Sequence, residues 1–291
     1  MHTPVLLSEV VDLLRPGPGQ LFIDSTVGLG GHAEALVPRL LPDGRLLGID
    51  RDAAALELAA ERLAPFGDRV ELLAGDFRHV AQLAGEAGFA QVHGLLFDLG
   101  VSSMQLDRPD RGFSFAHDGP LDMRMDPGQR QTAAMLLRRA SARDLERIFR
   151  DYGEERFARR IARAVVEQRG RLRTTRDLAD LVARVVPRRE RRIHPATRVF
   201  QAVRIAVNDE MGALEAALSA VPDLLAPGGR AAVISFHSIE DRMVKQAFRK
   251  LAAVDEMELV TRKPIRATEA EVADNRRARS ARLRVAERRA R

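Results

Sequence analysis

Residues 24–36 read DSTVGLGGHAEAL and follow directly on the apolar run Leu21-Phe22-Ile23. Few folds accommodate a buried strand that ends on an acid, passes into a glycine-rich turn and enters a helix. The pattern predicts the first βα unit of an open α/β sheet. There, glycines let the backbone close on a ligand and the helix presents free N–H groups. Three more apolar runs at βα spacing follow, near 46–50, 69–73 and 93–98. Their alternation with helical stretches implies a parallel sheet. The turn alone does not identify its ligand, because Gly28-x-Gly30-x-x-Ala33 also satisfies the dinucleotide pattern GxGxxG/A.

The βα rhythm breaks after Asp98. Residues 101–130 are rich in Gly, Pro, Asp and Met and are expected to form an ordered loop. Residues 132–186 show helical periodicity with many arginines, and Arg188-Arg189-Glu190-Arg191-Arg192 is expected to be an exposed basic turn. Sheet-like sequence then resumes. Residues 197–225 are helical, Pro227-Gly228-Gly229 is a turn, and Ala231–Ile234 is a buried strand. A helix over 239–252 and two last strands near 257–261 and 282–287 complete the pattern, and a short amphipathic helix over 5–14 precedes it. The expected architecture is a Rossmann-like α/β domain built from 1–106 and 201–291, with an inserted helical, arginine-rich domain over 107–200.

The net charge of +6 conceals an asymmetry. Residues 138–204 carry 20 Arg against 9 acids, and residues 262–291 carry 11 basic against 4 acidic residues, which leaves −12 on the remainder. An acidic body with two basic segments suits a polyanionic partner, most simply nucleic acid. Solvated helix faces with i,i+4 pairs are the alternative. Hydrophobic content of 45% is ample for a core. No apolar run approaches the roughly 20 residues that span a bilayer, so no membrane association is expected. MHTPVLLSEV lacks the pattern of a signal peptide, and a cytoplasmic location is expected. Without cysteine there is no disulfide, thiolate metal site or cysteine nucleophile. The seven histidines are scattered without ligand spacing, so no metal site is expected.

Ligands of open α/β sheets bind at the carboxyl ends of the strands. Gathered there are Asp24 with Gly28, Gly30, Gly31 and His32, then Asp50, then Phe77, then Asp98-Leu99-Gly100-Val101-Ser102-Ser103, and finally Ser235-Phe236-His237-Ser238. Each has a structural alternative: Asp24 as a turn cap, Asp50 as a helix cap, Phe77 as core, His32 as a helix-turn residue and His237 as a buried structural histidine. An acid after the second strand suits the ribose of NAD or of S-adenosylmethionine. Asp24-Ser25-Thr26 before the glycines, the acid ending the fourth strand, and the basic insertion favour the methyl donor.

The chain closely resembles the bacterial RsmH (MraW) family of 16S rRNA cytosine-N4-methyltransferases. The resemblance is carried by HTPVLLSEVVDLL, DSTVGLGGH, GIDRD at 48–52, FDLGVSSMQLD at 97–107, RGFSF at 111–115, GPLDMRMDP at 119–127, YGEERFARRIARAV at 152–165, HPATRVFQAVRIAVNDE at 194–210, ISFHSIEDRMVK at 234–245 and NRRARSARLRVAER at 275–288. It implies a Rossmann-like methyltransferase domain with a helical insertion, S-adenosylmethionine as donor, a decoding-region cytidine of 16S rRNA in the small ribosomal subunit as substrate, and a homodimer. Carried onto this chain, the family's cofactor contacts fall on Gly30, Gly31, His32, Asp50, Phe77, Asp98 and Gln105. Met104 stands where most members have proline.

Cytosine N4 is a poor nucleophile, so transfer should be a direct in-line displacement that relies on positioning and electrostatics. Methylation at C5 normally uses a cysteine, which this chain lacks. Asp98 is the expected key acid, either accepting from the amine or holding the donor's methionine end. Its surroundings, Asp98-Leu99-Gly100-Val101, depart from the Asp/Asn-Pro-Pro-aromatic motif of many amino-methylating enzymes. Asn208 and His237 are further candidates for binding cytosine. Phe113 and Phe115 are candidates for stacking a flipped base, or else anchors of their loop. Arg198 is a candidate phosphate ligand.

Overall fold

In the computed structural model, residues 4–187 and 194–290 are described. Seven strands are present: β1 (Leu21–Asp24), β2 (Arg45–Asp50), β3 (Val70–Ala74), β4 (Val92–Asp98), β5 (Leu225–Ser235), β6 (Met257–Leu259) and β7 (Arg282–Arg288). They form one sheet in the order β3-β2-β1-β4-β5-β7-β6. The first five strands are parallel, while β7 runs antiparallel between β5 and β6. The strand runs read from the sequence thus lie within a residue or two of where their apolar patterns place them. β5 is the exception, because it begins at Leu225 and takes in the Pro227-Gly228-Gly229 turn as an irregularity. Val92 pairs with Leu225 and Gly94 with Arg230. Gly94 is required by packing, since a Cβ there would lie 2.1 Å from the Phe22 ring.

The central strands are apolar along their whole length because both faces are covered. Leu46, Leu47, Ile49, Leu95, Leu96, Phe97 and Ala231–Ile234 are all essentially inaccessible. Helices Leu7–Leu14, Gly31–Leu40 and Ala53–Leu63 supply Val10, Leu14, Leu36, Leu40, Ala59 and Leu63 to one core. The sheet order reverses between β1 and β4, so the chain leaves these neighbours in opposite directions. That divergence opens a crevice at their carboxyl ends.

The chain divides into two compact units, 1–100 with 211–291, and 101–210. The inserted unit is wider than the 107–200 read from the sequence. The short helix Ser103–Asp107 and the helix Ala196–Asn208 both belong to it. The reason is packing: Leu106, Val199, Phe200, Val203 and Val207 join its core with Leu137, Leu145, Phe149, Ile161, Val165, Leu178 and Val182. The remaining helices of this unit are Ala133–Arg139, Ala142–Asp151, Ala158–Gln168 and Thr175–Val185. Hydroxyl caps start three of them, from Thr132, Ser141 and Thr174.

Residues 108–131 form the ordered loop. Arg111 donates to the carbonyls of Arg124 (3.1 Å) and Met125 (3.0 Å). Gly112 has φ +70° and its Cα faces the Pro120 carbonyl so closely that a Cβ would sit 2.2 Å from it. The helical stretch expected over 197–225, with or without an interruption, is two helices, Ala196–Asn208 and Glu210–Leu224, broken at Asp209 with φ +48°. The basic turn Arg188–Arg192 lies outside the described residues.

Candidate active site

The β1 strand ends on Asp24, whose Oδ1 accepts from the Thr26 amide at 3.2 Å. The Thr26 hydroxyl oxygen accepts in turn from the Asp98 amide at 2.6 Å, which joins the ends of β1 and β4. Gly28 and Gly30 take φ values of +52° and +78°, the left-handed region that glycine occupies without strain. The helix Gly31–Leu40 that follows has no side-chain cap. Its first-turn N–H groups have no intrahelical acceptor, so they suit an anion.

Asp50 ends β2 and clamps two loops: Oδ2 accepts from the Gly28 amide (2.9 Å) and Oδ1 from the Asp52 amide (2.9 Å). The cap of the next helix is Asp52, which accepts from Ala54. This frees Asp50 from the capping role that its position in the sequence also allowed. Each Asp50 oxygen retains a lone pair for a ligand hydroxyl. Phe77 follows β3, is only partly buried, and meets Phe97 edge-on at 6.0 Å. Beside it Asp76 pairs with Arg51 (3.5 Å) and Arg78 (3.2 Å).

Asp98 is the most unusual group. Its Oδ1 is buried and has no hydrogen-bond partner among the described residues, while 26% of the side chain remains exposed. Burial pushes its carboxyl well above the usual range, and the charges of Asp24 and Glu240 push it further. Asp24 itself is raised to about 7, chiefly by burial, against the lowering effect of its bond from Thr26. Asp50 is raised as well, again mainly by burial. Asp24 thus opposes the ionisation of Asp98, and Asp50 that of Asp24, and a cation entering the crevice would be drawn to these carboxyls.

His32 packs against the same acid. Its Nδ1 lies 3.6 Å from Asp98 Oδ2 and its Nε2 is 3.0 Å from the Val5 carbonyl. A carbonyl only accepts, so Nε2 carries the proton and Nδ1 faces Asp98. Pro4 closes over the turn: a Cβ on Gly31 would fall 2.5 Å from its Cγ. Gly31 therefore answers to Pro4 as well as to any ligand. The N-terminal segment and Glu240 are parts of this crevice that sequence reading missed. HTPVLLSEVVDLL carries the family resemblance but no ligand-binding pattern, and Glu240 is distant in sequence.

His237 sits after β5 and caps the helix Ser238–Ala253. Its Nδ1 accepts from the Glu240 amide at 3.3 Å, and Glu240 Oε2 accepts from the amides of Phe236 (2.8 Å) and His237 (3.2 Å). The structural alternative for His237 therefore describes its geometry, and its buried Nε2 lies 3.1 Å from Glu240 Oε1 without the alignment of a hydrogen bond.

The remaining candidates lie in the inserted unit. Asn208 is a structural pin: Oδ1 accepts from Met125 (2.8 Å) and Nδ2 donates to Met123 (2.8 Å) and Arg204 (2.9 Å). Both amide hydrogens are engaged within the unit, which favours a structural role over the expected one as a cytosine ligand. Phe113 is buried in the unit's core. Phe115 packs on His194 (4.5 Å) and Phe200 (4.9 Å). This packing fits the second of the two readings, anchors of their loop, for the buried Phe113, while Phe115 stays partly exposed. Gln105 completes a capping box, its Oε1 accepting from the Ser102 amide at 3.1 Å. Arg198 is exposed and donates to the Glu154 carbonyl at 3.2 Å.

The family-wide sequence pattern described as "MraW methylase family" matches residues 1–289. The "Ribosomal RNA small subunit methyltransferase H" of Symbiobacterium thermophilum is 49% identical over 303 residues, covering 98% of this chain and 95% of that protein. The protein of the same name from Anaeromyxobacter sp. (strain Fw109-5) is 52% identical over 308 residues, 99% of this chain and 97% of its own length. Among solved structures, the N-methyltransferase NodS of Bradyrhizobium japonicum, in complex with S-adenosyl-L-homocysteine, aligns over 97% of this chain and 85% of its own at 10% identity and a TM-score of 0.45. No helix among the described residues is long and apolar enough to cross a membrane. Matched over nearly its whole length by the family pattern and by relatives about half identical to it, this chain belongs to the MraW methylase family.

Proposed function

We propose that the chain transfers a methyl group from S-adenosylmethionine to N4 of a cytidine in the decoding region of 16S rRNA, by direct in-line displacement. Membership of a methylase family supports the reaction class. The names of its relatives support a small-subunit ribosomal RNA as substrate. The lack of cysteine disfavours C5 chemistry and leaves an exocyclic amine as the simplest acceptor on cytosine. One observation carries the reading: Asp98, at the carboxyl end of β4, keeps a buried carboxylate oxygen without a partner beside the glycine turn.

The crevice of the first unit fits the donor. The uncapped first turn of Gly31–Leu40, with Gly30, Gly31 and His32, suits an α-carboxylate. Asp50 suits ribose hydroxyls, and the half-buried Phe77 ring suits one face of adenine. The sulfonium supplies the electrophilic methyl group. Asp98 accepts a hydrogen bond from the N4 amine, keeps its lone pair aimed along the displacement axis, and then receives the proton. His32 packs beside Asp98, and Thr26 holds its backbone. Arg198, on the inserted unit, is assigned to a phosphate.

The test is to supply radiolabelled S-adenosylmethionine with small-subunit particles from cells lacking this protein. Label at cytosine N4 is expected. Label at another position, or none on particles at any stage of assembly, overturns the reading.

A further inference from the structure

We propose that an arginine-lined groove on the inserted unit docks the phosphate backbone of the substrate RNA. The identity of the polyanion rests on the proposed rRNA methylation, whereas the groove itself does not.

The helix Ala158–Gln168 turns Ile161, Ala162 and Val165 into the core of its unit. Its outer face carries Arg159, Arg160 and Arg163, and the end of the helix Thr175–Val185 adds Arg184. Two surface depressions of about 630 and 590 Å³ adjoin there and share Arg160 and Val185. All four arginines are exposed, and none makes an ion pair or hydrogen bond among the described residues. Elsewhere on the unit Arg124, Arg147 and Arg150 pair with Asp122 (2.8 Å), Asp144 (3.4 Å) and Asp151 (2.9 Å). Two carboxylates line the depressions, Glu167 and Asp180, and neither pairs with these arginines. Positive charge is therefore in excess and unneutralised.

Arg159 to Arg163 covers about 6 Å of helix axis. Like charges at that spacing repel and oppose the fold. An external polyanion relieves the repulsion, and a nucleic-acid strand presents a charge every ~3.4 Å of its axis. The planar fork of arginine matches two phosphate oxygens at once, and the proposed rRNA methylation makes RNA the polyanion. Phosphate binding of this kind would set the register of the RNA without reading its bases.

The experiment compares the full-length protein with the variant R159Q/R160Q/R163Q/R184Q. Affinity for a fluorescein-labelled 16S rRNA transcript is followed by polarisation across a salt series. Every phosphate no longer neutralised by the protein lowers the log–log salt slope by ~0.7–0.9. The expected change is a slope lower by about 3 and affinity at least tenfold weaker at ~0.1 M salt. Donor affinity by calorimetry and the melting temperature should not fall. A control variant, R147Q/R150Q, removes paired arginines and should keep the wild-type slope. An unchanged slope in the quadruple variant overturns the proposal. So does displacement of the RNA by polyglutamate as effectively as by unlabelled RNA, which would assign the groove to an acidic protein. Methylation is mapped on the same preparations. Wild-type label away from cytosine N4 would refute the proposed activity, while the salt slope would still decide the groove.

Discussion

Replacing Asp24 with Asn should stabilise the protein while weakening its grip on the methyl donor. Asp24 is 1% exposed and its carboxyl is raised from 3.8 to about 7. Below about pH 4 the group is protonated in both folded and unfolded chains and contributes no pH dependence. As pH rises towards 7 the unfolded chain ionises first, so the wild type loses stability over this window. The loss is at most about 1.4 kcal/mol per pH unit and reaches roughly 4 kcal/mol at pH 8. Asparagine keeps an oxygen for the Thr26 amide but cannot ionise. The variant should therefore melt about 10 °C above the wild type at pH 8 and level with it at pH 4, given ~2–4 °C per kcal/mol for a chain of this class. Calorimetric titration with S-adenosylmethionine should show affinity reduced about tenfold, because one of three carboxyls that attract the cation is gone. Equal melting temperatures at pH 8, or a gap that does not shrink on acidification, would refute the idea that buried charge at Asp24 opposes folding.

Asp98→Asn should lower single-turnover methyl transfer by about 10²–10⁴ without loss of fold, since the buried Oδ1 receives no bond that holds structure together; turnover within tenfold of wild type would refute its role as acceptor. Asp24, raised to about 7, predicts that donor affinity climbs as pH rises through 7, because binding a cation favours the ionised carboxyl; a calorimetric affinity flat from about pH 6 to 8 would contradict it. Asn208→Ala strands the Met125 amide and the Met123 carbonyl and should cost about 2–4 kcal/mol in urea unfolding. A loss of activity at unchanged stability would instead return Asn208 to the substrate site.

Much of the candidate site was legible because it lies in continuous stretches of chain. Strand, acid, glycine turn and helix form one local unit, and Asp50, Phe77 and Asp98 stand at the ends of strands that apolar runs mark plainly. What the stretches do not carry is a side chain's bonding state. Asn208 and Phe115 look in sequence like an amide and a ring available to a base. Their engagement with Met123, Met125, His194 and Phe200 depends on residues up to 85 positions away. Glu240 acquires its influence on Asp98 in the same way, from the far side of the insertion.

The sequence by itself determined the strands, the glycine turn and the family, since each resides in local pattern and local composition. Tertiary structure alone decided three further matters. It set the limits of the inserted unit at 101 and 210, because Val199 and Val203 pack with its core. It separated the residues that hold the fold from those left open to a ligand. It also gave the glycine turn its electrostatic setting, because the desolvation of Asp24, Asp50 and Asp98 arises only when the sheet brings their strand ends together and excludes water.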